Sequence, residues 1–208
     1  MFESPFAEAM MKRAIDKKIL ELNTHDMRQW AWNNYGAVDD KPFGGDIGML
    51  IRVDVVDKAL RALNSKPKTQ NSKIILTSAR GKKFDQAKAE EWSKLDNLIF
   101  ICGRYEGVDQ RVADYMVDEE ISIGDYVLTG GELPSMIMID AVTRLLPGVL
   151  GKDESSKVES FSGEKRHIEH PQYTRPQEYE GHKVPDELLS GNPKTIAEWK
   201  SKQLLQIK

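Results

Sequence analysis

Two glycine-dense stretches, each following a hydrophobic run, constrain this chain more than any other feature. The first is Leu98-Ile-Phe-Ile-Cys-Gly-Arg-Tyr-Glu-Gly107 and the second is Ser122-Ile-Gly-Asp-Tyr-Val-Leu-Thr-Gly-Gly131. Each reads as a strand running into a turn. The apolar run 98–102 suits a buried strand, and the glycines after it permit positive φ and close backbone approach to a ligand. Two such loops near one another in sequence can line one pocket with backbone amides and carbonyls. A lining of that kind suits a nucleoside ligand.

The rest of the chain alternates strand and helix. Apolar residues at helical spacing (Phe6, Met10, Ala14 and their neighbours) predict an amphipathic helix over 5–18. Segment 28–50 is loop-rich, and Asp54 is placed to cap a helix carrying Val56, Ala59, Leu60 and Leu63. Ile74–Thr77 reads as a strand, followed by a turn around Gly81 and a helix over 84–93. Helices near 108–116 and over 134–146 flank the second glycine loop. This alternation predicts an α/β domain with a mainly parallel sheet. The stretch 152–168 has few large apolar residues and reads as a linker. A small tail with a helix near 194–205 follows it.

With 208 residues the chain can hold one good core, or one core and a small appendage. No apolar run approaches the ~18–20 residues that span a bilayer, and no cleavable leader is visible. The single cysteine, Cys102, excludes an intramolecular disulfide, so a cytoplasmic setting is the default expectation. The net charge of −3 counts mildly against nucleic acid as a partner. Local basic clusters (Lys12-Arg13, Lys17-Lys18, Arg80-Gly-Lys-Lys83 and Lys165-Arg166) could serve one, although taken alone each reads as a solvated face. The four histidines lack metal-ligand spacing, so no metal site is expected from them.

The two loops also carry a resemblance. Gly103-Arg-Tyr-Glu-Gly-Val-Asp109 and Ser122-Ile-Gly-Asp-Tyr-Val-Leu-Thr-Gly-Gly-Glu-Leu-Pro134 resemble those of the TrmD family, the bacterial tRNA (guanine-N1)-methyltransferases of the knotted SPOUT class. The likeness extends through Val38–Gly45, Pro147–Gly151, His170–Pro176 and Leu188–Asn192, nearly the whole chain in the family's order. It implies a trefoil-knotted SPOUT domain over 1–151, a linker over 152–170 and a partial, truncated tRNA-binding region over 171–208. The implied reaction transfers a methyl group from S-adenosylmethionine to N1 of the guanosine 3′ of the tRNA anticodon, position 37 of the tRNA. A homodimer with its active site at the interface is implied as well. The transfer itself requires no metal, and the family admits magnesium as an auxiliary ion.

Residue by residue, the resemblance implies a cofactor site of Leu76, Thr77 and Ser78, then Gly103, Tyr105, Glu106 and Gly107, then Ile123, Gly124, Asp125, Tyr126, Val127, Leu128, Gly130 and Gly131. Glu106 would face the positively charged end of the cofactor. N1 of guanine carries a proton and O6 gains charge as that proton leaves, so the site needs a base and a donor. Glu159 matches the family's general base, here in a Glu-Ser-Phe triplet where the family has Asp-Ser-Phe. Arg144 matches the family's catalytic arginine. On the residues alone, Arg144 could instead pair with Asp140, and Glu159 could be a solvated linker residue. Asp109 serves equally as a helix-start carboxylate. Tyr105 and Tyr126 either stack on a base or pack in the core. Cys102 reads as a small buried residue.

The chain departs from the family at several points. Met1–Phe6 resembles the segment after the family's first strand, so that strand is expected to be missing from the sheet. Gly44-Gly-Asp-Ile-Gly-Met49 carries Asp46 where the family has glycine. Asn33-x-Tyr35 replaces an Asp-x-His pair, Ala79 replaces proline and Pro193 replaces histidine. These changes keep two alternatives open: a non-catalytic member that binds cofactor or RNA, and a related knotted methyltransferase with another RNA target. A nicotinamide-dinucleotide enzyme is disfavoured, because no Gly-x-Gly-x-x-Gly follows a strand.

Overall fold

A computed structural model describes residues 1–63, 71–150, 159–161 and 167–206. The chain divides into two compact units, Met1–Leu150 and Gly151–Lys208. The expected linker therefore lies mostly outside the described residues.

In the first unit, α1 (Glu3–Phe6) and α2 (Ala9–Asp16) precede a 3₁₀ turn at Met27–Trp30 and a small hairpin of β1 (Asp39–Asp40) and β2 (Leu50–Ile51). Then follow α3 (Val53–Ala62), β3 (Ser72–Lys83), α4 (Gln86–Trp92), β4 (Asn97–Cys102), α5 (Gln110–Tyr115), β5 (Glu119–Ser122) and α6 (Glu132–Thr143). The central sheet has the order β4-β3-β5 with both pairings parallel, as the alternation of strand and helix predicts.

The middle strand explains the layering. Ile74, Ile75, Leu76 and Thr77 are all buried, because a central parallel strand is covered on both faces. Ile74 and Leu76 join Ile51, Val56, Ile101 and Val112 on the face covered by α3 and α5. Ile75 joins Trp92, Ile121, Met138 and Val142 on the face covered by α4 and α6. A third cluster seats Phe6 and Met11 on Met136 and Ile139 of α6. This cluster corrects the single helix expected over 5–18. Glu8 is extended (φ −125°, ψ 158°), so α1 and α2 are separate. Across the break, Phe6 of α1 and Met11 of α2 still reach the same cluster on α6.

Two further expectations are revised. Asp54 lies in the first turn of α3, not at its cap, which is Arg52; the carboxylate instead accepts from Arg52 Nε at 2.9 Å. The turn expected at Gly81 is an excursion within one long strand. Thr77 and Lys82 both pair with Ile121, so residues 78–81 leave the ladder and β3 then rejoins it. A Cβ on Gly81 would lie 2.4 Å from the Ile121 nitrogen, a backbone approach that requires glycine. β4 stands at the sheet's edge among the described residues. A cavity of about 1290 Å³ takes in all of β4 together with Leu20, Leu22 and Trp30.

At the far end of the sheet, Glu119 receives both Lys73 and Lys88 (2.9 Å to Lys88), and Glu91 is held by the same two lysines. The indole of the fully buried Trp92 also points its Nε1 at Glu119, at 3.5 Å. Hydrogen bonds from Lys73 and Lys88 hold Glu91 down at about 2. Burial opposes ionisation of Glu119, but the two lysines outweigh it and its pKa is lowered.

The second unit pairs β6 (His167–Ile168) with β9 (Leu205–Gln206) and β7 (Glu178–Tyr179) with β8 (His182–Lys183), both antiparallel. It also holds α7 (Asp186–Leu189) and α8 (Pro193–Lys202). Asn192 caps α8 by accepting from Lys194 N at 3.0 Å, with Pro193 at the first helical position, where its missing N–H costs nothing.

Carboxylates whose folded pKa is depressed stabilise the fold above their unfolded values and lose that contribution as pH falls. The thermal midpoint should therefore decline from about pH 5 towards pH 2 as Glu119 and Glu91 take up protons. Glu119→Gln should flatten this decline in scanning calorimetry. An unchanged pH slope in that variant would remove the cluster from the acid response.

Candidate cofactor site at the strand ends

All three strands of the parallel sheet point the same way, so the segments leaving β3, β4 and β5 emerge at one end. Ligands of open α/β sheets bind outside the carboxyl ends of the strands. Here Thr77 lies between Cys102 and Ile121 in register, and residues 78–81, 103–109 and 123–131 depart beside one another.

The loops interlock. Gly131 N donates to Gly103 O at 2.8 Å, and Arg104 forms an antiparallel bridge with Gly130. A Cβ on Gly131 would lie 2.0 Å from Thr77 Oγ1, 2.8 Å from Cys102 Cα and 2.9 Å from Gly103 N. Only glycine fits there. Arg104 Nε donates to Glu132 Oε1 at 2.8 Å, which adds an ion pair between the first loop and the first turn of α6. No local signal in the sequence announces this pair, because its members lie far apart along the chain. The cavity beside β4 reaches Arg104, Tyr105 and Glu132.

The first loop is also tied to the β1–β2 hairpin. Glu106 N donates to Met49 O at 3.1 Å, Ile51 N to Gly107 O at 3.0 Å and Asp109 N to Ile51 O at 3.0 Å. Tyr105 (φ 60°) and Gly107 (φ 121°) make the turn. Tyr105 is 55% exposed and Glu106 is exposed. Asp109 takes its structural alternative: it caps α5 through Arg111 N, and its carboxylate is held by the Arg111 guanidinium at 2.9 and 2.7 Å. That hydrogen bonding lowers its pKa.

In the second loop, Ser122 Oγ accepts from Gly124 N at 3.2 Å, and the Tyr126 ring lies over Gly124. Tyr126, Val127 and Leu128 are exposed, so Tyr126 is not a core residue. Lys83 Nζ reaches Asp125 at 2.5 Å. Leu76 is buried in the sheet core, the Thr77 hydroxyl donates to Ile101 O at 3.1 Å, and Ser78 Oγ accepts from Arg80 N at 3.1 Å. Cys102 Sγ lies 3.3 Å from Ser135 Oγ, and burial pushes the thiol up to about 11, leaving it protonated at neutral pH.

Arg144 caps the C-terminal end of α6 in the first unit. Glu159 belongs to the second unit, in a turn where Phe161 N donates to His167 O (2.8 Å) and Glu169 N to Ser160 Oγ (3.0 Å). Among the described residues, no group of three or more His, Cys, Asp or Glu side chains could hold a metal ion, and no helix is long and apolar enough to cross a membrane.

A parallel sheet with interlocked glycine loops over its carboxyl ends defines an α/β protein whose candidate ligand site lies at the strand ends. A family model described as tRNA (Guanine-1)-methyltransferase TrmD matches residues 1–207. Curated relatives bear the name tRNA (guanine-N(1)-)-methyltransferase. That of Citrifermentans bemidjiense is 49% identical over 99% of this chain and 81% of its own length. Those of Dictyoglomus turgidum and Staphylococcus carnosus are 48% and 46% identical over 99% of this chain, and over 81% and 82% of their own lengths. The chain belongs to the TrmD family.

Gly131→Ala should lower stability by ~1–3 kcal/mol, since the added methyl meets backbone and a buried hydroxyl. Arg104→Ala, which removes a half-exposed ion pair, should cost less than ~1 kcal/mol. Chemical denaturation of both variants tests this order, and equal losses would show that the glycine junction is not the tighter constraint.

Proposed function

We propose that this chain methylates N1 of a guanine in tRNA, at the guanosine 3′ of the anticodon, with S-adenosylmethionine as donor. The observation that carries the reading is the interlocked pair of glycine loops in a member of this family. The loops suit that donor. Tyr126, Val127 and Leu128 offer exposed apolar surface for an adenosine, and Glu106 offers a carboxylate for a cationic end. When bound, the donor supplies an electrophilic methyl group on its sulfonium.

The chain's own residues supply the rest. The Glu159 carboxylate takes the N1 proton, leaving the nitrogen lone pair free to form the new N–C bond, while the methyl–sulfur bond would break with its electron pair going to sulfur and the donor would leave as a neutral thioether. Arg144 donates to O6, where charge gathers as the proton leaves. Both roles rest on family position. Glutamate in place of aspartate moves the carboxylate by roughly an ångström or more, and misplacement on that scale can cost ~10²-fold in rate.

A homodimer completes this reading. α6 is apolar nearly all round, and its Leu133 and Ile137 are 47% and 51% exposed. Exposed apolar side chains on one helix fit a protein interface. The knotted arrangement is part of the proposal too, and it rests on family membership. The second unit is read as a tRNA-binding region.

Radiolabelled methyl transfer to tRNA transcripts with G or A at the target position tests the function. Transfer to G alone is expected, and no transfer despite measured donor binding would establish the non-catalytic alternative. Glu159→Gln should slow single-turnover transfer by roughly 10²–10⁴-fold with donor affinity intact. Equal rates for the parent and for the Glu159→Gln and Glu159→Asp variants would remove this residue from the chemistry. Mixing Arg144→Ala with Glu159→Ala chains should restore part of the activity if the two residues meet across a dimer. Verified mixed dimers without rescue would put both on one chain.

A further inference from the structure

The end of α2 carries cations that the fold does not use. Lys12 gives its charge to Asp16, one turn on, at 2.8 Å. Arg13, Lys17 and Lys18 are exposed, and none of them pairs with a carboxylate among the described residues. Arg13 and Lys17 stand four residues apart, which puts them on one side of the helix end.

Lysines in the last turn of a helix ordinarily answer its unpaired carbonyls. That account does not hold here, because the backbone caps this helix by itself. Arg13 O accepts from Lys17 N at 3.0 Å, Ala14 O from Ile19 N at 2.9 Å and Ile15 O from Lys18 N at 2.9 Å. Lys18 moreover sits at φ 58°, the left-handed conformation that glycine adopts without strain. The cap asks only for that backbone turn. A lysine kept in it at a conformational cost calls for a use of its charge.

The position of these cations supplies the use. Met11 of α2 packs with Met136 and Ile139 of α6. Lys17 Nζ donates to Gly148 O at 3.5 Å, and a Cβ on Gly148 would lie 3.6 Å from Ile19 Cδ1. Gly148 belongs to the turn that follows Arg144 at the end of α6. The carbonyl is neutral, so Lys17 keeps its full charge while its stem is aimed at that turn. A guanine brought to Arg144 arrives with its phosphates, and contacts to phosphate are what set the register of a nucleic acid on a protein.

We propose that Arg13, Lys17 and Lys18 form a phosphate-binding ridge that holds the backbone of the RNA substrate beside the end of α6. The ridge positions the RNA and takes no part in the methyl transfer itself. This inference rests on the methyl-transfer reading for the identity of the nucleic acid.

The test measures binding of a full-length tRNA transcript by fluorescence anisotropy over a series of salt concentrations, with the donor present. Each phosphate contact contributes ~0.7–0.9 to the slope of log affinity against log salt. A variant with Arg13→Gln, Lys17→Gln and Lys18→Gln should therefore lose roughly 2 from that slope and bind roughly 10²-fold more weakly at about 0.1 M salt. Donor affinity by calorimetry and oligomeric state by sedimentation should match the parent. Lys18→Gly is the sharper test, since it removes the charge and relieves the backbone. It should raise the thermal midpoint while weakening RNA binding by roughly 5-fold. An unchanged salt slope in the triple variant would overturn the proposal, whatever happens to affinity. Parent affinity in Lys18→Gly, or a lower thermal midpoint, would overturn it in favour of a structural lysine. Lost donor affinity or a changed oligomer in the triple variant would overturn it in favour of the cofactor site or a second copy. If the slope falls as expected yet the parent transfers no methyl group, the functional reading fails and the ridge stands. No binding of the transcript by the parent overturns the ridge.

Discussion

The close approach of Gly131 to the ends of β3 and β4 is the constraint on which the candidate site depends. Its Cβ position coincides with the space of Thr77 Oγ1, so the second loop is pressed directly onto the strand ends. From that contact follow the hydrogen bond to Gly103 O, the bridge of Arg104 to Gly130 and the start of α6 one residue later. The burial of α6 against α2, α4 and the sheet then depends on where that helix begins. Core, loops and helix share one anchor point, and it is made of backbone.

A site lined by backbone needs a rigid sheet beneath it. Here the rigidity is distributed between two ends. At the carboxyl ends of the strands, glycine contacts set the loop positions. At the opposite end, Lys73, Lys88, Glu91 and Glu119 form an ionic cluster against Trp92, whose ring also meets Phe84 at 5.4 Å and Phe100 at 5.9 Å. Glu119 begins β5 and Lys73 lies near the start of β3, so the cluster ties these two strands together. Each lysine serves two carboxylates, and the desolvation of Glu119 is offset within the cluster.

Much of this was legible in the sequence where apolar pattern and glycine coincide. Ile74–Thr77 and Leu98–Cys102 are runs of β-forming residues, and both are strands. The continuation of β3 to Lys83 was not legible, because Ser78-Ala-Arg-Gly-Lys-Lys83 is polar and its pairing partner, Ile121, lies distant in sequence. The break after Phe6 was hidden for another reason: helical spacing alone cannot reveal that Glu8 is extended so that two short helices reach one core. The glycine loops announced themselves, yet their interlocking did not. Gly103, Gly131, Arg104 and Glu132 meet only once the sheet has aligned β3 with β4. Arg144 and Glu159 were recognisable by family position and by nothing in their local chemistry.

Electrostatics narrows how such a chain can engage RNA. With a net charge of −3, its positive charge must act locally. Around the loops, however, several cations are matched within the chain: Arg104 by Glu132, Lys83 by Asp125 and Arg111 by Asp109. Each matched cation neutralises its carboxylate before it can neutralise a phosphate, so it releases fewer counterions on binding. The three matched cations are therefore expected to add little to the salt dependence of RNA binding. That dependence falls instead to cations such as Arg80, which donates to the neutral Gln110 at 2.8 Å and so keeps its charge for a phosphate.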